Sequence, residues 1–134
     1  MSEENVALVR RVIGLWNQGD LDAALELAAD EVEMDWSNSI GPAMGTYRGK
    51  DGFREFWTSF AEVFDVIRLE TQETIDVDES QVIVVNQFRS RGRGSGIEVN
   101  ATGAQLWTIS EGRWRRVKLY QSKAKALEAA GFEE

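Results

Sequence analysis

The sequence predicts an α+β domain in which helices cover the concave face of a curved antiparallel sheet. Apolar residues recur at helical spacing early in the chain and alternate at strand spacing later, and short turns join the later strands. Consecutive strands joined by short turns pair antiparallel, and their apolar face has to be buried under helices. Because 134 residues is the length of one ordinary domain, we expect a single domain spanning residues 1–134.

Three helices are expected in the first half of the chain. The first carries four apolar residues at helical spacing: Val6, Val9, Ile13 and Trp16. The segment Asn17–Asp20 ends this helix with a glycine and supplies an aspartate N-cap for a short second helix. The third helix is expected to run from Asp51, as its N-cap, to about Phe64, with aromatic residues at nearly every inward position. A last short helix is expected at residues 124–130.

Five strands are predicted. A loop lies between the first strand and the third helix. Strict alternation marks residues 31–37, and the later strands are Val66–Val77, Gln81–Arg91, Ile97–Ser110 and Arg113–Gln121. The loop at residues 38–49 contains the only proline and several glycines. Gly92, Gly94 and Gly96 lie between two strands, so they indicate a hairpin turn, because a phosphate-binding glycine loop would need a helix after it.

The composition excludes several kinds of chemistry. The chain has no cysteine and no histidine, which removes thiolate nucleophiles, Ser-His and Cys-His pairs and the commonest zinc ligands. Any catalysis therefore has to use carboxylates, Tyr, Lys, Arg or an imported cofactor. The spacing of the remaining oxygen ligands suggests no metal cluster, so we expect neither a metal ion nor a cofactor.

The charge balance bears on partners and location. A net charge of −8 argues against nucleic acid and against anionic membranes as partners. Arginines nevertheless cluster on the later strands, which indicates either a solvated sheet face or a self-complementary dimer contact. The first residues lack the features of a signal peptide, and no apolar run reaches the length of a membrane span. We therefore expect a cytoplasmic protein.

Several short motifs resemble those of a known family. They are Asn17-Gln18-Gly19-Asp20, Tyr47-Arg48-Gly49, the run from Arg91 to Val99, Leu106-Trp107-Thr108 and the run from Ala126 to Gly131. In this order, and over nearly the whole chain, the sequence resembles bacterial members of the SnoaL-like branch of the nuclear-transport-factor-2-like superfamily. The resemblance implies a cone-shaped fold around one pocket. It does not imply one activity, because this fold hosts isomerases, dehydratases, cyclases, epoxide hydrolases and plain binding proteins.

The resemblance to ketosteroid isomerases of this superfamily tests one such activity. Aligned on the Gly-Asp turn, Trp36 stands at the position of their carboxylate base, and Val12 at that of their tyrosine. Their oxyanion-binding acid corresponds to Gln105, or to Ala104 if the last hairpin is counted differently. Their proton-transfer chemistry therefore cannot be carried over.

Two acids adjoin the expected mouth of the cone and are the catalytic candidates. Alternation places Asp35 on the face opposite Trp36, and Asp51 is expected to cap a helix, so both are weak candidates. The polyketide cyclases of the SnoaL branch use an acid with histidine nearby, and histidine is absent here.

The expected pocket is mostly aromatic with two isolated amides. Its predicted lining is Trp16, Met34, Trp36, Tyr47, Phe53, Phe56, Trp57, Val84, Asn86, Phe88, Gln105 and Trp107. Rings supply desolvated contact area and amides orient a ligand, which is typical of a small-molecule site. Asn86, between Val84 and Phe88, needs a partner, which either a pocket or a neighbouring backbone group can supply.

These observations leave two functions open. One is a protein that binds a small, largely apolar molecule and acts on it as a cofactor-free isomerase, cyclase or hydratase-like enzyme. The other is a non-catalytic binding or interaction module. Residues 82–85 are apolar on both sheet faces and no further helix is available to cover the convex face, so we expect a homodimer through the sheet.

Overall fold

The computed structural model describes residues 2–39 and 44–131, which form helices and strands in the predicted order. The helices are α1 (Ser2–Asn17), α2 (Leu21–Glu26), α3 (Gly49–Val63) and α4 (Lys123–Ala129). The strands are β1 (Ala28–Asp35), β2 (Thr46–Arg48), β3 (Phe64–Asp76), β4 (Gln81–Gly92), β5 (Glu98–Ser110) and β6 (Arg113–Tyr120). The predicted fold class, a curved sheet with helices on its concave face, is confirmed.

The six-stranded sheet has the order β2-β1-β6-β5-β4-β3. Strands β3 to β6 form the expected antiparallel meander. The sheet is not wholly antiparallel, however, because β6 pairs parallel to β1. Parallel neighbours need a long connection, and here it comprises β2, α3 and the rest of the meander.

Local sequence signals fix the turns as expected. Gly19 adopts a φ of 74°, and Asp20 accepts a hydrogen bond of 3.2 Å from the backbone N–H of Ala23 at the start of α2. In the glycine-rich turn between β4 and β5, the N–H of Gly92 donates to the carbonyl of Ile97 at 2.8 Å. The glycines therefore form a hairpin turn, as predicted.

The start of α3 differs from the prediction. The helix begins at Gly49, and Asp51 lies exposed in its first turn; Arg48 holds the N-cap position without a side-chain cap bond. Of the predicted loop 38–49, residues 40–43 lie outside the described residues. Its last part is not a loop but the short strand β2, in which Tyr47 is opposite Met34 of β1. Three residues are too few for alternation to reveal a strand.

The two faces of the sheet bury separate apolar clusters. The concave face packs against α1, α2 and α3. On the convex face, Ile83, Val85 and Leu106 are covered by Ala126 and Leu127 of α4. The expectation that no helix was available for this face was wrong. The short C-terminal helix folds back because its own apolar stripe needs burial.

Candidate functional site

A cavity of about 320 Å³ lies between the helices and one end of the concave sheet face. Most of the residues expected in the pocket line it: Trp16, Met34, Trp36, Phe56, Trp57, Asn86, Phe88 and Gln105. Strand alternation and helical spacing together bring them to one side of the sheet.

Four residues of the expected pocket lie elsewhere: Tyr47, Phe53, Val84 and Trp107. Phe53, Val84 and Trp107 are fully buried in the core beside the cavity. Tyr47 packs edge-on against Phe56, with ring centroids 5.4 Å apart, outside the cavity lining. Strand alternation and helical spacing give the inward side of an element but not the depth at which the cone becomes solid, so Phe53, Val84 and Trp107 could not be separated from the others. Tyr47 was expected in a loop, where neither pattern applies.

The cavity also has walls that the sequence did not single out. They are Ser39, Phe60, Phe64, Ile67, Leu69, Val99, Ala101, Thr102, Gly103, Leu119, Tyr120 and Gln121. Alternation along β3 and β5 could have identified four of them, because these share a sheet face with Asn86 and Gln105: Ile67, Leu69, Val99 and Ala101. Tyr120 gives no such signal. It packs against the convex-face cluster and, as the last residue of β6, also reaches the cavity edge.

Trp16 joins the cavity wall to the solid core. Its ring stacks on Trp107, with centroids 5.1 Å apart, and meets Trp114 edge-on at 5.7 Å. Its indole N–H is buried and has no hydrogen-bond partner among the described residues. Trp36 packs edge-on against Phe56 at 4.8 Å. Phe53 lies between the two groups, with ring centroids 5.8 Å from Trp16 and 6.1 Å from Phe56, so the rings form one continuous aromatic cluster.

The buried polar side chains of the wall form an amide pair, Asn86 and Gln105. The Nδ2 of Asn86 donates to Oε1 of Gln105 at 3.1 Å, and the indole Nε1 of Trp107 donates to the same oxygen at 3.1 Å. Oδ1 of Asn86 accepts from the Thr71 hydroxyl at 3.1 Å. Both amides are buried, with 3% of each exposed. The partners of the Asn86 amide are therefore side chains. The neighbouring backbone group that the sequence analysis offered as an alternative partner is not needed.

The two carboxylates considered for catalysis do not line the cavity. Asp35 points to the convex side, where Oδ1 accepts from the Ser37 hydroxyl at 2.6 Å and Oδ2 lies 3.0 Å from Nη2 of Arg116 and 3.7 Å from Nζ of Lys118. Burial raises the pKa of Asp35, but the Ser37 hydrogen bonds and the charges of Lys118 and Arg116 outweigh it and hold the pKa below its usual value. This is the environment of a structural ion pair. Asp51 is exposed on α3.

Within residues 2–39 and 44–131, Tyr120 is the one ionisable side chain on the cavity wall. The same residues contain no group of His, Cys, Asp and Glu side chains arranged to hold a metal ion. As built, the cavity can exclude water from an apolar molecule and offer it amide, hydroxyl and phenol groups.

The family model of the SnoaL-like domain matches residues 9–117. The chain belongs to this family. The match spans the segment from α1 to β6 and so contains both helices and strands of the cavity wall. The predicted relationship is thereby confirmed.

Solved structures share the fold at low sequence identity. TerC, co-crystallised with polyporic acid, has a TM-score of 0.77 and 19% identity, over 96% of this chain and 99% of that one. RV0760c from Mycobacterium tuberculosis, in complex with estradiol-17beta-hemisuccinate, has a TM-score of 0.75 and 14% identity, over 90% and 95%. An NTF2-like protein from Burkholderia xenovorans LB400 has a TM-score of 0.75 and 17% identity, over 98% of each chain.

Two further findings concern curated sequences and membrane-spanning helices. No curated protein sequence matches the chain. Among the described residues, no helix has the length and apolar character needed to cross a membrane.

Proposed function

We propose that this SnoaL-like protein binds a small, largely apolar molecule in the cavity. The observation that carries the proposal is a hollow of about 320 Å³ with aromatic walls and one buried amide pair. A protein interior is normally filled to high density, so a hollow of this size beside well-packed rings is more readily explained by a ligand than by core packing. In support, TerC and RV0760c have the same fold and were crystallised with small organic molecules.

The test is to close the cavity without disturbing the fold. Ala101 lies on the wall and is exposed at its edge, so Ala101→Trp should obstruct the hollow. Asn100→Trp is the matched control, because Asn100 is the exposed neighbour on the same strand and is not part of the wall. Mass spectrometry of small molecules retained through native purification should find a molecule with the wild-type and control proteins that Ala101→Trp lacks. Equal retention by all three proteins, or none by the wild type, would contradict the proposal.

A second candidate function is cofactor-free isomerase, cyclase or hydratase-like catalysis on the bound molecule. The observation in its favour is Tyr120, since a phenol can donate or accept a proton at the cavity edge. The test is Tyr120→Phe, which removes the hydroxyl and keeps the ring. An enzyme of this kind should convert the retained molecule into an isomer of equal mass or into a product that differs by one water molecule. Tyr120→Phe should stop this conversion while binding persists. Binding without conversion by the wild type would identify a non-catalytic binding protein.

The homodimer through the sheet remains a prediction. The argument from an uncovered apolar face no longer holds, because α4 covers the apolar part of the convex face. What still supports it is a strip of both charges on the convex side of β1 and β6, where Glu33 and Asp35 lie opposite Arg116 and Lys118, a pattern that a second copy could complement. Light scattering at micromolar concentration should give twice the mass of one chain, and a monomer would refute it.

A further inference from the structure

We propose that Arg93 latches the cavity: it holds the last turn of α3 against the sheet, and the ligand enters and leaves when this contact opens. The inference rests on the proposed function, since it concerns the exchange of the molecule that the cavity binds. It follows from the contacts of the glycine-rich turn between β4 and β5, a segment that does not line the cavity itself.

The C-terminus of α3 passes directly into β3, so no further helical turn satisfies its last carbonyl groups. The carbonyl of Phe60 accepts from the backbone N–H of Phe64. Nε of Arg93 donates to the carbonyl of Ala61 at 2.9 Å, and the backbone N–H of Arg93 donates to that of Val63 at 2.7 Å. Nη2 of Arg93 donates to the carbonyl of Phe64 at 3.3 Å. The guanidinium charge also suits a helix C-terminus, so Arg93 caps α3 from another part of the chain.

The turn itself has a defined conformation. Gly94 and Gly96 adopt φ values of 88° and 71°, which favour glycine. The N–H of Gly96 donates to the carbonyl of Gly92 at 3.0 Å, and the Ser95 hydroxyl accepts from the N–H of Ile97 at 3.2 Å. These bonds fix the backbone on both sides of the arginine and place it beside the end of α3.

The helical turn that Arg93 holds lies at the mouth of the cavity. Phe60 and Phe64 pack on Phe88 of β4, with ring centroids 5.8 and 5.7 Å away, and all three rings line the cavity. Phe88 is directly opposite Ala101 in the β4–β5 pair, and Ala101 is exposed at the cavity edge. Movement of the last turn of α3 therefore widens the hollow at the edge where it meets solvent.

The two halves of α3 are anchored differently. The first half is fixed by Phe53, which is fully buried in the core, and by Phe56, which packs against Trp36. The end of the second half is held by hydrogen bonds from an exposed arginine, and Val63 is 42% exposed there. Water readily replaces the partners of exposed hydrogen bonds, so the second half is the part of the cover that opens.

A latch of this kind sets rates and leaves affinity unchanged. Because Arg93 does not line the cavity, a ligand inside neither makes nor breaks its contacts. Weakening these contacts therefore lowers the barriers for entry and for exit equally. A residue that shaped the cavity would change the dissociation constant instead.

Stopped-flow fluorescence with N-phenyl-1-naphthylamine tests the latch, because this flat, uncharged probe becomes fluorescent in apolar surroundings. Arg93→Met keeps a long side chain and removes the guanidinium. We expect it to raise the association and dissociation rate constants by about tenfold each, with a dissociation constant within about twofold of that of wild type. Arg91→Met is the matched control, because it removes the same charge from a side chain that pairs with Asp65 of β3 at 3.0 Å and not with α3. It should exchange the probe as wild type does.

Two further measurements do not depend on that variant or on the probe. Arg93→Lys keeps the charge but has one nitrogen in place of the guanidinium fork, so its rate constants should lie between those of wild type and Arg93→Met. It replaces Arg93→Met should that variant fail to fold. Without any probe, amide hydrogen exchange in residues 60–63 should be faster in Arg93→Met than in Arg91→Met, whereas exchange around Phe53 should be equal.

The outcomes separate the latch from the proposed function. If the probe binds wild type but Arg93→Met exchanges it at wild-type rates, or changes its dissociation constant instead, the latch is overturned while the proposed function stands. If the probe binds none of the proteins, the proposed function is overturned for flat apolar molecules, and the role of Arg93 in ligand exchange with it. Unchanged amide exchange in Arg93→Met overturns the latch whatever the probe does.

Discussion

The two ends of the concave sheet face are built from similar residues, yet one end is solid and the other is hollow. At the filled end, Trp107 and Ile109 of β5 are fully or almost fully buried in the core. At the hollow end of the same strand, Val99, Ala101 and Gln105 border the cavity. Strand β4 also passes from the solid core to the cavity wall, and it does so within two residues, since Val84 is in the core and Asn86 is on the wall.

The helices explain the difference. At the filled end α1 and α2 both cover the sheet, and the indole of Trp114 donates to the carbonyl of Ala24 in α2 at 2.9 Å. At the hollow end the cover consists of the end of α1, through Trp16, and the second half of α3, through Phe56, Trp57 and Phe60, while no residue of α2 borders the cavity. Aromatic content therefore does not decide whether a cone is filled. The two ends differ in that α2 covers only the filled one.

The largest expected effect is at the filled end. Trp114→Ala should lower the free energy of unfolding by about 3 to 5 kcal/mol, because the ring is fully buried and its hydrogen bond to Ala24 is lost as well. Urea denaturation measures this change. A cost near 1 kcal/mol would mean that the filled end is not tightly packed, and the comparison would fail.

Trp36→Ala should cost less than Trp114→Ala, below about 3 kcal/mol, because it enlarges a hollow that already exists instead of opening a new one. Ligand-induced fluorescence change should decrease in the same variant. The two variants are compared in one urea series and in one titration with the molecule that wild-type protein retains through native purification. Equal costs with unchanged binding would place Trp36 in solid core and remove it from the site.

Asp35→Asn tests the ion pair that joins β1 to β6 on the convex side of the sheet. We expect a loss of about 1 to 3 kcal/mol at neutral pH, because the Ser37 hydrogen bond and the Arg116 ion pair lose their charge. Since the pKa of Asp35 is lowered in the folded state, its contribution is complete above its unfolded pKa, for which the usual value is 3.8. The contribution is lost as the pH falls through the folded pKa.

The measurement is the unfolding free energy of wild type and Asp35→Asn as a function of pH. The difference between them should be constant near neutral pH and shrink in acid. Retention of the small molecule through native purification should be unchanged, because the carboxylate lies on the convex side. A loss of binding would return Asp35 to the list of candidate site residues.

The smallest expected effect compares two positions of one helix. Phe53→Leu should cost about 1 to 1.5 kcal/mol, because Phe53 is fully buried, whereas Phe60→Leu should cost about 0.5 kcal/mol, because Phe60 is half-buried at the cavity. Thermal unfolding of the two variants in parallel resolves this difference. A larger cost for Phe60 would show that the hollow end is the better packed of the two.

Much of the fold could be predicted because its signals are local. The Gly19-Asp20 turn and the glycine hairpin after β4 depend on backbone conformations that neighbouring residues dictate. Strand alternation also placed Asn86 on the inner face, whereas it left open whether Gln105 or Ala104 faces inward. The parallel pairing of β6 with β1 and the covering of the convex face by α4 depend on partners distant in sequence, so no local pattern contained them.

The sequence by itself determined the class of fold, the family resemblance, the absence of histidine and cysteine chemistry, and the side of the sheet on which most residues of the predicted strands lie. The tertiary structure decided which inward residues meet a hollow and which meet other atoms, and how the Gln105 amide is turned. The physical reason is that period and composition specify direction along one element. Depth in the cone and the orientation of a hydrogen-bonded amide depend on side chains from several elements that only folding brings together.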